Sequence, residues 1–135
     1  MKPLIYLDRN VSPVVGDAMQ LFAEQLEFEV ETDRRAFLNK TPDDVWMKYL
    51  KEKEQPVAAI GADIEILRNK EQLEVFRTCG FSYLLIRDGL QQCAPIELTW
   101  RLLSFLDQIL TELRANTGPS VFAVSKSGPE KLAPS

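Results

Sequence analysis

Three short, almost wholly apolar runs constrain the fold more than any other feature: "LIYL" at Leu4–Leu7, "VAAI" at Val57–Ile60 and "FSYLLI" at Phe81–Ile86. Each has strand length, and continuous apolarity in place of alternation predicts strands buried on both faces. Helical stripes separate them. Ser12-Pro13 has the form of an N-cap followed by proline in the first turn, and Val15, Met19, Phe22 and Leu26 then recur at helical spacing, with Ala18 and Leu21 widening the stripe. This predicts an amphipathic helix ending near Glu27. Phe28 and Val30 alternate with Glu27, Glu29 and Glu31, the pattern of a second, more exposed strand.

Thr41-Pro42-Asp43-Asp44 reads as another helix start, with a Thr cap, proline at the first position and acids in the first turn. Val45, Trp46, Tyr49 and Leu50 give that helix its apolar side, and Pro56 closes it. A further helix is expected from about Glu65 to Thr78, stopped by Gly80. One long helix is expected from Pro95 to Arg114 on the stripe Ile96, Leu102, Leu103, Leu106, Ile109, Leu110 and Leu113. Ser120–Ser125 has the pattern of a short last strand. Beyond Lys126, glycine, two prolines and two serines predict a frayed tail.

Strands and helices therefore alternate, which predicts an α/β fold: a single three-layer α/β/α domain with a mostly parallel sheet and room for a short antiparallel edge strand near the C-terminus. The 135 residues are enough for one domain, expected over residues 1–126 with a flexible tail over 127–135. No apolar run reaches membrane-spanning length and no signal-peptide pattern opens the chain, so the expectation is a cytoplasmic protein without a membrane partner. Cys79 and Cys93 form no disulfide framework and no zinc spacing.

The chain has no histidine. That removes Ser-His-Asp and Cys-His catalysis, the HExxH zinc site and any imidazole base. Chemistry would have to run on carboxylates, Lys, Tyr, Ser, Cys or a hard metal ion held by oxygens, Mg²⁺ or Mn²⁺. A net charge of -4 argues mildly against a broad nonspecific nucleic-acid surface, while leaving room for a basic rim around an acidic site. No GxGxxG and no GxxxxGK[ST] is present, so dinucleotide and P-loop readings lack support.

The acids fall at strand ends. Asp8 follows the first apolar run, Asp63 the third strand, and Arg87-Asp88 the fourth. In an open parallel sheet, ligands bind beyond the carboxyl ends, where the strand order reverses. If the order is second-first-third-fourth, Asp8 and Asp63 face one another across that crevice. Asp43, at the start of the helix after the second strand, can approach the same edge. Gathered carboxylates repel unless a cation neutralises them, and a divalent metal would also polarise a phosphoryl oxygen and activate a water. Each acid also has a plainer reading, as a helix cap, a helix-dipole partner (Asp43, Asp44) or a turn residue before Gly89 (Asp88). Arg34-Arg35 belongs most simply to a solvated loop, with a phosphate contact as the sharper option. Trp100 and Phe105 are the residues of the long helix to watch for a dimer or a small protein partner.

"IYLDRNVSP", "TPDDVW", "AAIGADIEI" and "CGFSYLLI", followed by a long apolar helix, resemble the PIN-like nucleases, and in particular VapC-type toxin-like proteins with the pattern D-[RE]-N, D-x-x-W and T-[KR]-D. The resemblance covers roughly Leu4 to Ser125. It implies a PIN fold, Mg²⁺- or Mn²⁺-dependent cleavage of RNA, and an antitoxin protein as partner, a homodimer being a further option. Asp8 fits the family's first acid and Asn10 its accompanying amide. Asp43 fits the acid before Trp46, and Asp63 the acid after the third strand. Asp44, Asp88 and Arg9 stand in reserve. Two positions depart from the pattern: Gly61 stands where the family has Thr, and Ile64 where a Lys follows the third acid. Losses around a metal site of this kind typically cost ten- to a hundredfold in affinity or activity. The resemblance therefore also admits a weakened or inactive protein-interaction module. A metal-dependent phosphatase on a similar sheet would need a second acid two residues after Asp8, where Asn10 stands.

Overall fold

The computed structural model describes residues 2–37, 42–62, 68, 71, 78–115 and 120–131, with the side chains of Asp43, Asp44, Asp88 and Lys131 outside the description. Strand β1 (Leu4–Leu7) leads into helix α1 (Pro13–Leu26), strand β2 (Glu29–Thr32), the single-turn helix α2 (Asp33–Ala36) and helix α3 (Asp43–Lys51). Strands β3 (Val57–Gly61) and β4 (Ser82–Ile86) follow. Then come the short helix α4 (Asp88–Gln91), helices α5 (Pro95–Ser104) and α6 (Leu106–Ala115), and strands β5 (Val121–Ser125) and β6 (Gly128–Lys131). The helix expected from Glu65 to Thr78 lies mostly outside the described residues, of which Arg68, Glu71 and Thr78 are helical.

The six strands form one sheet in the order β2-β1-β3-β4-β5-β6, the first five parallel and β6 antiparallel to β5. The apolar runs make this sheet because period-2 geometry sends their alternate residues to opposite faces, and helices cover both. Ile5, Leu7, Ala58, Ile60, Leu84 and Ile86 pack with α1, α5 and α6. Leu4, Tyr6, Val57, Ala59, Tyr83 and Leu85 pack with Trp46, Met47 and Leu50 of α3. Trp46 stacks on Tyr6 with ring centroids 5.7 Å apart, which fixes α3 over β1. β2 is the more exposed strand, as its alternating glutamates require.

Helix α1 begins as its sequence dictates, with the Ser12 hydroxyl accepting from Val14 N–H at 3.3 Å and Pro13 in the first turn. It ends at Glu27, whose left-handed backbone (φ 57) caps the last carbonyls. In α3, Pro42 occupies the cap position without a side-chain cap, and Thr41 lies outside the described residues.

Three expectations need correction. The apolar stripe from Pro95 to Arg114 is two helices, interrupted at Phe105 (φ -97, ψ 1). There the Ser104 hydroxyl donates to the Arg101 carbonyl at 2.6 Å, and Phe105 N–H turns to the Leu102 carbonyl at 3.2 Å. The break brings the Phe105 ring beneath Gly128: a Cβ there would lie 3.4 Å from it. Second, Val121–Ser125 is an interior parallel strand and not the last one; the short antiparallel edge strand expected near the C-terminus is present, as β6. Third, β6 arises from the segment expected to fray: the chain turns after Ser125 and pairs Gly128 with Ser125 and Pro129 with Val124. Proline is tolerated because β6 is an edge strand with one side unpaired.

Candidate active site at the carboxyl edge

Parallel pairing brings the carboxyl ends of β2, β1, β3, β4 and β5 to one edge, and the order reverses at β1: the chain leaves it for β2 on one side and returns to β3 on the other. Asp8 is the first residue past β1 at that switch point. Its N–H donates to the Ile60 carbonyl of β3 at 2.9 Å, its carbonyl accepts from Val11 N–H at 3.0 Å, and its Oδ1 accepts from Arg9 N–H at 2.7 Å. The first two bonds fix the Asp8 backbone at the β1–β3 seam, and the third holds its carboxylate there. Its Oδ2 lies on the Gly61 side, 3.4 Å from the point a Cβ at position 61 would occupy.

The other expected acids are only partly within the description. Asp63 lies outside it, two residues beyond the end of β3. Asp43 and Asp44 open α3, which leads from the carboxyl edge back under the α3-facing side of the sheet, and Asp88 opens α4 directly past β4. Asn10 is exposed in the turn after Asp8. Among the described residues no three acidic or thiol side chains gather into a metal-holding group, and Asp8 is the described member of the expected set.

Arg9 turns away from solvent. Its Nε donates to Asp33 Oδ2 at 2.8 Å and its Nη2 to the Phe37 carbonyl at 2.9 Å. Asp33, 2% exposed, also accepts from the Tyr6 hydroxyl at 2.6 Å. Burial, reinforced by that hydrogen bond and by the charges of Asp33 and Asp8, pushes the Tyr6 phenol far above its ordinary range. Asp33 is the acid the sequence reading passed over. It follows Thr32 just as Asp8 follows Leu7, its register partner, but sits in a run of charges from Glu27 to Arg35 that hides it.

Arg34 and Arg35, expected in a loop, belong to α2, whose cap is the Thr32 hydroxyl accepting from Arg35 N–H at 3.2 Å. Arg34 donates to the Arg9 carbonyl at 3.2 Å, and Arg35 pairs with Asp17 at 3.0 Å. With Leu7, Asp8, Val11 and Ser12 they line a cavity of about 100 Å³ between the ends of β1 and β2 and the start of α1. Two carboxylates, Asp8 and Asp17, and two guanidinium groups therefore line this one cavity.

The profile of the PIN-like domain family matches residues 3–88, more than half of the chain, from β1 to the end of β4 and the strand-end acids with it. The chain belongs to the PIN-like domain family. PIN-like domains form a nuclease-type family, generally dependent on divalent metal ions and commonly binding RNA. No curated protein and no solved structure matches the chain. The mostly parallel sheet with helices on both faces is the α/β architecture of this PIN-like domain. Among the described residues no helix is long and apolar enough to cross a membrane.

The residues at the edge suit a hard divalent ion. With no histidine in the chain, the described donors there are the Asp8 carboxylate and the Asn10 amide, oxygen ligands of the kind Mg²⁺ and Mn²⁺ take. The Asp8 carboxylate also lies beside Gly61, a position that carries no side chain and that the Tyr83 hydroxyl approaches from β4.

Proposed function

We propose that this PIN-like domain is a Mg²⁺- or Mn²⁺-dependent ribonuclease of the VapC type, with Asp8, Asp43 and Asp63 as the carboxylates that hold the ion and Asn10 as the amide that orients a water beside it. The observation that carries the reading is the seat of Asp8, at the sheet's switch point with its carboxylate fixed at the β1–β3 seam. A bound ion would supply Lewis acidity to a phosphoryl oxygen and lower the pKa of a water. The chain's own residues do the rest. Asp8 supplies the fixed charge for the ion, and Arg34 and Arg35 on the rim meet the phosphates that flank the scissile bond. Asp44 and Asp88 are reserve ligands, since both open helices at the same edge. As a VapC-type toxin the protein would be held silent in the cytoplasm by an antitoxin protein.

The test is cleavage of a mixed RNA substrate with Mn²⁺, with EDTA and an Asp8→Asn/Asp63→Asn variant as controls. Cleavage lost in both controls is expected. Cleavage that survives the double variant would overturn the site.

A second reading is a PIN-like fold kept as a protein-interaction module, without catalysis. It is favoured by α5, where Ile96 is 77% and Trp100 52% exposed, an apolar pair one turn apart. That reading predicts no cleavage, and a complex or homodimer that Trp100→Ala disrupts on size-exclusion chromatography.

A further inference from the structure

Tyr83 plays no part in the site as the sequence describes it, because it sits inside an apolar strand. On the α3-facing side of the sheet, however, it stands in a row with Ala59 and Tyr6, each opposite the next in register. The β3 residues on this face nearest the carboxyl edge, Ala59 and Gly61, are small, and the flanking tyrosines extend along the sheet past them. The Tyr6 hydroxyl reaches Asp33 at 2.6 Å. The Tyr83 hydroxyl reaches the position beside Gly61: a Cβ there would lie 2.7 Å from it, closer than real Cβ contacts come. The same point lies 3.3 Å from Asp8 Cβ and 3.4 Å from Asp8 Oδ2. Tyr83 is 1% exposed, so its hydroxyl is directed within the protein. A buried phenol O–H orients toward an acceptor, and a carboxylate is the strongest one.

We propose that Tyr83 is a positioning residue of the Asp8 site, its hydroxyl filling the space that glycine at 61 leaves open and holding the Asp8 carboxylate in the orientation that meets the divalent ion. The role in metal binding rests on the ribonuclease reading above; the role in orienting Asp8 does not. Gly61 and Tyr83 form a matched pair, since no side chain fits at 61 while the hydroxyl is in place. The departure from the family pattern at Gly61 is then an exchange in which a hydroxyl comes from β4 in place of one from β3.

The experiment compares the wild-type chain, Tyr83→Phe and Tyr49→Phe, the last a control whose hydroxyl bonds Glu31 of β2. Two quantities are read: the ¹³Cγ chemical shift of Asp8 at neutral pH without metal, and Mn²⁺ affinity from the loss of the free-ion EPR signal. Tyr83→Phe should move the Asp8 resonance and weaken Mn²⁺ binding about tenfold, while Tyr49→Phe changes neither. In the Asp8→Asn background, Tyr83→Phe should weaken Mn²⁺ no further. Gly61→Ser added to Tyr83→Phe returns a hydroxyl to the vacated space and should restore most of the affinity. An Asp8 resonance unmoved by Tyr83→Phe overturns the proposal, whatever the metal result. A moved resonance in a chain that binds no Mn²⁺ refutes the metal reading and upholds the positioning role.

Discussion

At the scale of single residues, the buried trio Tyr6, Asp33 and Arg9 shows how this edge tolerates charge. Asp33 is almost fully buried, yet it accepts from a phenol at 2.6 Å and a guanidinium at 2.8 Å. Removing the phenol leaves the buried Asp33 Oδ1 without its donor while Arg9 still holds Oδ2, so Tyr6→Phe should cost about 1–3 kcal/mol in urea unfolding. The pH dependence has a definite sign. Burial first, then the bond to Asp33, raises the Tyr6 phenol above its ordinary 10.0, while in the unfolded chain it ionises near that value. Below it both states keep the proton and this residue contributes no slope. Above it the unfolded chain releases a proton that the folded chain keeps. Stability therefore falls with rising pH, by about 1.4 kcal/mol per unit for one tyrosine. Tyr49, also raised, acts in the same direction. Unfolding free energies measured above pH 10 should fall less steeply in Tyr6→Phe than in the wild type, and equal slopes would contradict this account.

At the scale of elements, the turn from β5 to β6 makes the sharpest prediction. Gly128 has φ +116, and a Cβ there would meet the Phe105 ring at 3.4 Å. Gly128→Ala should cost about 1–2 kcal/mol and speed hydrogen exchange in β6 and along β5. Exchange unchanged in both strands would show that the turn does not hold the edge. Such elements mark where sequence reading works and where it stops. β1, β3 and β4 are legible to within a residue because continuous apolar runs have one outlet, a strand buried on both faces. β6 is not, because Gly128-Pro129-Glu130-Lys131 carries no apolar pattern and is held by backbone pairing to β5. The break at Phe105 escapes notice because the stripe continues through it. It depends on a Ser104 side-chain bond and on a turn more than twenty residues away. In the candidate site, Asp8 is legible as the residue where an apolar run stops. Asp33 and Tyr83 are hidden, one among neighbouring charges and the other in the apolar strand that carries it.

At the scale of the whole molecule, the strand order does the selecting. Five parallel strands present their carboxyl ends on one edge, and only the reversal at β1 opens a crevice between neighbouring connections. Asp8 stands at that crevice and Asp33 one strand away, and the two have opposite fates. Asp33 is neutralised from within by Arg9 and Tyr6, whereas Asp8 is fixed at the seam beside a glycine. The proposal that rests on this topology and on membership of the PIN-like family is that Asp8 holds a divalent ion at the β1–β3 seam. Mn²⁺ titration followed by EPR, on the wild type and on Asp8→Asn, tests it most directly. Asp8→Asn should weaken binding about tenfold or more while the metal-free melting temperature barely changes. Equal Mn²⁺ affinity in the two proteins would contradict it.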